Sequence, residues 1–397
     1  MTSPFAISPE LDRDLNRWFV PALGIGIILS IISIIGAFSS PGDFFRSYLM
    51  SYLFWLGLAL GSLGVVMMQY LTAGAWGIMT RRAFESSTRT LPLLAILFIP
   101  IAFGTRQLYD WAHSDLVQKE YALAHRSSYM NVPMFIVRAI IYFAIWILFA
   151  YLLNKWSAEQ DERPGLKNAL ERRLARLSAP GLILYVFTVS FSSVDWAESL
   201  ETDWYSTIWG FLFVARQGLE AFAFVIIVMA LLSRREPLLG RFKASHLHDL
   251  GKLLLTFVMV WAYFAVSQLL IVWSGNLTDE IPWYLRRFAT SWGWLGVALI
   301  LFEFIVPFLL LLSRPLKRNV IALCSVVGLI IIMRFVDLMW IVMPGYYQRG
   351  LRIHWLNFSV PLAMGGLWIA FFIWQLRRRP LLPLEAPNLE KALHHCE

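Results

Sequence analysis

The sequence predicts an all-α, polytopic membrane protein with ten transmembrane helices. Three observations predict it. Of the 397 residues, 58% are hydrophobic and 15% charged, whereas soluble domains run near half apolar and a quarter charged. Ten stretches reach the roughly 20 mostly apolar residues that a bilayer crossing needs. Many of the 18 tryptophans sit at the ends of those stretches, as Trp18, Trp111, Trp204, Trp283 and Trp355 do, which is the aromatic belt of a membrane interface.

Residues 1–17 form a polar arm carrying Asp12, Arg13, Asp14 and Arg17. The first stretch, about 18–38, has no small-residue cleavage site after it and reads as an anchor, not a removed signal. The others fall at about 47–70, 90–110, 133–154, 177–195, 205–232, 251–274, 288–312, 319–343 and 355–377. With the N-terminus inside, inner loops hold nearly three times the Lys and Arg of outer loops, so both termini are expected to be cytoplasmic. The acidic turn at 195–203, with Asp195, Glu198, Glu201 and Asp203, then lies outside. The outer connection 111–132 is expected to hold a short surface helix. The inner segment ERPGLKNALERRLARL reads as an amphipathic basic helix at the lipid headgroups. Residues 378–397 contain three prolines and no periodicity, and read as a flexible cytoplasmic tail.

Several function classes are excluded by composition and motif content. The net charge of +8 comes from loops between spans, which argues against nucleic acid. Cys324 and Cys396 are too few and too far apart for an iron–sulfur cluster, and no CxxCH haem-attachment motif is present. The seven histidines all fall in loops, at span ends or in the tail, so the His pair that a b-type haem needs within the membrane is missing. No redox metal and no cofactor is expected on this chain.

The remaining signal is charge at membrane depth. An ionisable group there costs about 2.5–3.5 kcal/mol, so it persists only with a structural or functional use. Arg216 lies ~16 Å from the outer end of the sixth span, with Glu220 one turn further in on the same face. Asp337 and Arg334, three residues apart, lie roughly 10 and 15 Å from the outer end of the ninth span, and Glu303 lies ~22 Å below the outer surface in the eighth. His246, His248 and Asp249 stand at the inner end of the seventh. From outside to inside these make a ladder: Asp195 and Glu198, Asp337, Arg216 with Arg334, Glu220 with Glu303, then His248 and Asp249. The bland alternative is that Arg216–Glu220 and Arg334–Asp337 are self-neutralising pairs that lock helices. Glu303 has no charged neighbour one turn away on its own helix, and is either protonated and silent or a proton-exchanging site. Arg138, ~8 Å below the outer surface, reads as snorkelling.

Three stretches carry a family resemblance: YMNVPMFIVRAIIYFAIW (129–146), VDWAESLETDWYSTIWGFLF (194–213) and LGKLLLTFVMVWAYFAVSQLLIVWSGNLTDEIPWYLRR (250–287). They are similar to the ActF membrane component of bacterial alternative complex III, a quinol:electron-acceptor oxidoreductase, and the resemblance covers about residues 18–377. It implies the NrfD-like fold of the polysulfide-reductase membrane anchor: two four-helix bundles, spans 2–5 and 6–9, flanked by spans 1 and 10. It implies partners as well, namely a sister NrfD-like subunit, an iron–sulfur subunit and c-type cytochrome subunits in the bacterial cytoplasmic membrane. Haem c, iron–sulfur clusters and quinol are expected on those partners.

The leading expectation is therefore a non-catalytic subunit of a respiratory or photosynthetic electron-transport complex. Its proton path would run through Asp195, Glu198, Arg216, Glu220, Glu303, Arg334, Asp337, His248 and Asp249, and would be coupled to quinol oxidation in the sister subunit. Asp195 and Glu198 belong to span 5, and must face the second bundle to join that path. Three alternatives stand beside it. One is a quinone site at the outer acidic turn, where Trp196, Trp204 and Tyr205 flank the carboxylates. The others are a passive scaffold and a self-standing secondary transporter. For the last, the paired broken helices of transporter repeats are not evident, since Pro307 and Gly328 are isolated.

Overall fold

The computed structural model describes residues 5–394 apart from Asp203 and the side chains of Ala75 and Ala122. Among these residues, ten helices are long and apolar enough to cross a membrane: α1 (Pro9–Ser39), α2 (Pro41–Thr72), α3 (Trp76–Phe103), α4 (Val132–Glu162), α5 (Pro164–Leu200), α6 (Trp209–Leu232), α7 (Ala244–Gly275), α8 (Trp292–Leu312), α9 (Val320–Tyr346) and α10 (Leu356–Leu376). There is no strand among the described residues. Local chemistry sets several helix ends. Ser8 caps α1 by accepting from Leu11 N at 3.2 Å, with Pro9 in the first turn. Asn131 caps α4 through Met134 N at 2.9 Å. Asn276, at φ 45°, closes α7 in the left-handed conformation.

The helices pack as two four-helix groups, α2–α5 and α6–α9, with α1 and α10 paired against each other and laid on α2. The groups meet through α2 and α6, the two most enclosed helices, with 89% and 78% of their apolar windows buried. Gly61 permits that meeting, because a Cβ there would collide with the Gln217 carbonyl. Both described ends of the chain lie at one end of the molecule: Arg377 pairs with Asp12 at 2.7 Å, Arg235 with Asp14 at 2.7 Å, and Leu381 N donates to Phe5 O. This is the termini end, and the opposite one is the acidic-turn end.

Helix α8 is not regular. Residues Ile300–Ile305, which include Glu303, form a single π turn. Pro307 accounts for it. Proline has no N–H, and its ring clashes with the carbonyl four residues back, here that of Glu303. The ladder is broken at this point and α8 takes up one extra residue.

Three expectations need correction. The third span does not run 90–110 but begins at Trp76, because Ala75–Thr88 is helical and deeply buried despite its polar sequence. The tail after Arg379 is packed, not loose. Leu381, Leu382, Leu389 and Ala392 are buried, Leu384 N donates to Asp161 at 2.9 Å, and Ala392 O lies 2.8 Å from His246 Nε2. His395 and Cys396 fall outside the described residues. The connection 111–132 holds two short helices, Ser114–Lys119 and Tyr121–Arg126, in place of one. Arg126 ties them to the acidic turn by donating to Thr202 O at 2.7 Å.

Candidate functional site

The middle of the second bundle holds a continuous chain of four charged side chains from three helices. Arg216 of α6 donates from Nη2 to Oδ1 of Asp337 on α9 at 3.3 Å, and its Nε lies in ion-pair range, 2.7 Å from Oδ2. Arg334, one turn from Asp337 on α9, bonds that same Oδ2 and also reaches Glu303 Oε1 in the π turn of α8. All four residues are at least 95% buried. Their charges cancel, which is how two guanidinium groups and two carboxylates persist at this depth.

Glu220 is the fifth member and differs in kind. It is 3% exposed, yet makes no ion pair among the described residues, and its Oε1 has no hydrogen-bond partner there. Its carboxylate fits against α2 only because residue 57 is glycine, where a Cβ would stand 2.5 Å from Oε2. A cavity of about 20 Å³ joins Glu220 to Arg216, Arg334, Gln217 and Ser192. That volume suits a single water. Gln217 in turn accepts from Tyr185 OH at 3.0 Å. Glu303 Oε2 and Arg216 Nη1 are likewise buried without a partner among the described residues.

This geometry revises the pairing suggested by sequence spacing. Arg334–Asp337 is a real pair, but Arg216 turns away from Glu220 to Asp337, and Glu303 finds its cation on a neighbouring helix. Asp195 does not face the second bundle. Arg138 of α4 grips it at 2.8 and 3.0 Å, and Tyr142 OH donates to it at 2.9 Å. Arg138 is thus a bidentate partner and not a snorkelling side chain. Glu198 accepts from Ser206 N and lines a 430 Å³ pocket at the acidic-turn end with Arg126, Tyr129 and Tyr205. Glu201 pairs with Arg286 at 2.8 Å and Arg287 at 3.3 Å on the short helix Ile281–Phe288. Burial lowers the Arg287 guanidinium to about 10, against the upward pull of Glu201. Asp203 lies outside the described residues.

His248 and Asp249 sit in the first turns of α7, with Asp249 3.1 Å from Lys252. Trp261, beside Arg334, is 13 residues further along, or ~20 Å, and residues 253–260 carry no ionisable group. The structure brings together Arg216, Glu220, Glu303, Arg334 and Asp337, and leaves Asp195, Glu198, His248 and Asp249 apart from them.

Sequence reasoning missed a second buried ion cluster, in the first bundle. Arg82 bonds Glu85 at 2.7 Å and also Asp161, while Arg81 bonds Glu171 at 3.1 Å and Gln69 at 3.1 Å. Glu85 also accepts from Ser157 at 2.6 Å and Tyr70 at 3.2 Å. The available signal was TRRAFESST, where Arg81 and Glu85 stand at i,i+4 beside an apolar face of Ile78, Met79 and Phe84.

A cavity of 290 Å³ opens between α7 and α8 above the central chain of charges. Its walls are aromatic, from Trp261, Trp283, Tyr284 and Trp340, and Arg216 with Asp337 forms part of its lining. Trp261 Nε1, Trp340 Nε1 and Gln268 Oε1 are buried there without partners among the described residues. Among the described residues no group of three or more His, Cys, Asp or Glu is placed to hold a metal ion.

Comparison with protein-family models gives no match, and no curated protein matches the chain.

Proposed function

We propose that the chain is an integral subunit of a bacterial quinol:electron-acceptor oxidoreductase of the alternative complex III type. It sits in the cytoplasmic membrane with the termini end inside, and its second bundle moves protons. Haem c, iron–sulfur clusters and the quinol-oxidising site belong to partner subunits. The observation that carries this reading is Glu220. A carboxylate with no cation of its own stands beside a neutralised Arg216–Asp337–Arg334–Glu303 chain, with room for water between. Such a group can take or release a proton without breaking an ion pair. The path is shorter than the ladder read from sequence: it is centred on Glu220, Glu303 and Asp337. In the intact complex, Glu303→Gln and Glu220→Gln should lower proton translocation more than quinol-driven electron transfer. Equal loss of both, or of neither, would sink the proposal.

A quinone-binding role is the second reading, and the aromatic cavity favours it over the acidic turn. Asp195 is already committed to Arg138 and Tyr142, whereas the cavity offers two indole donors and an amide oxygen without partners among the described residues. A photoreactive short-chain quinone should label residues 261–269 or 337–340. Labelling confined to 195–205 would return the site to the turn.

A further inference from the structure

A larger cavity lies elsewhere, in the first bundle at the termini end. It measures 670 Å³ and runs along α4 from Ile147 to Arg163, about 24 Å of helix, between that helix, α3 and the end of α10. Its lining changes character along its length. Pro92, Ile147, Ala150 and Tyr151 line the part toward the middle of the span. Arg89, Lys155, Arg163 and Arg379 line the part toward the termini end, against the two carboxylates Glu159 and Glu162. Arg163 is matched by Glu159 at 2.9 Å. Arg89 is not matched by any carboxylate among the described residues: its Nη2 donates to Ser86 Oγ and to the Gln375 carbonyl at 2.9 Å, and its Nε is buried without a partner there. Arg379 adds a second guanidinium, tied to Asn154 O at 2.8 Å and 3.8 Å from Glu85. Asn154 Oδ1, on the same wall, has no partner among the described residues either.

We propose that this cavity seats an anionic phospholipid. The phosphate lies among Arg89, Lys155 and Arg379, a headgroup hydroxyl faces Asn154, and an acyl chain follows Ile147, Ala150 and Tyr151. A small soluble anion would account for the cations but not for the apolar half. A bare acyl chain would account for the apolar half but leave Arg89 and Lys155 without an anion. Basic pockets between membrane helices at the cytoplasmic side take anionic lipid headgroups for this reason. The site stands apart from the central charge chain and does not rest on the proton-transfer reading.

The test uses the delipidated full chain in detergent, with phosphatidylglycerol, phosphatidylcholine or soluble glycerol 3-phosphate added, read by native mass spectrometry and thermal unfolding. Phosphatidylglycerol should be retained as a single adduct and should raise Tm more than phosphatidylcholine does, with no response to glycerol 3-phosphate. Lys155→Gln, at an exposed position that does not threaten folding, should weaken retention about fivefold, the equivalent of about 1 kcal/mol for one basic residue at an anionic lipid. Arg89→Gln should do the same or more. Equal retention of phosphatidylcholine, or an undiminished response in Lys155→Gln, overturns the proposal. So does a glycerol 3-phosphate response as large as the lipid's, which would make this a site for free phosphate esters.

Discussion

Asp337 touches both Arg216 and Arg334, so its charge holds two helices and is shared between two cations. Removing one partner of a buried ion pair strands the other and costs about 3–5 kcal/mol. Asp337→Asn should destabilise the protein by that order in thermal unfolding. Glu220→Gln breaks no ion pair and should cost about 1 kcal/mol or less. Similar losses for the two would mean that Glu220 is as deeply tied into the network as Asp337. Adding Arg216→Gln to Asp337→Asn should recover part of the loss, with a coupling of about 0.5–3 kcal/mol. The sequence showed that Arg216, Glu220, Glu303, Arg334 and Asp337 were buried and charged, since their depth follows from their place in an apolar run. It could not show partners. Spacing puts Arg216 and Glu220 on one face, but a long guanidinium reaches across to α9, and that choice depends on helix rotation. Arg138 and Asp195 were misread for the same reason: their contact joins positions 57 residues apart.

Helix α8 shows how one residue type can place a functional group. Pro307 removes the N–H that would bond the Glu303 carbonyl, and the π turn that results carries Glu303 to Arg334. Pro307→Ala should relieve this break. Unfolding temperature should hold or rise, because proline costs about 3 kcal/mol in a helix interior. Proton translocation should fall, because Glu303 loses its aim. A parallel fall in both would mean that the π turn serves packing alone. The sequence contained Pro307 four residues after Glu303, so this signal was legible, although a hydropathy window averages over it. The same averaging misplaced α3. Ala75–Thr88 scores as polar, and only the pairing of Arg81, Arg82 and Glu85 with groups on α4 and α5 lets it be buried.

The ten helices and their division into two groups were readable from apolar length and from the motif resemblance, because a bilayer demands that each span satisfy its own backbone. The packed tail was not readable: its prolines forbid helix periodicity, but four apolar side chains still find a surface made by α3 and the start of α7. That surface bears on how the protein should be isolated. Both described ends are packed, Phe5 against Leu381 and Ala392 against His246, so a tag at either terminus needs a flexible spacer. Gentle detergent extraction through such a tag should bring down c-type haem and an iron–sulfur subunit, seen in the visible spectrum and by mass spectrometry. The exposed apolar faces of α1, α4 and α7 are wide enough to serve either lipid or partner subunits, and co-purification decides between them. A colourless chain that emerges alone or as a homo-oligomer would remove the oxidoreductase reading. The buried charges of the second bundle would then be tested as the ion site of a transporter.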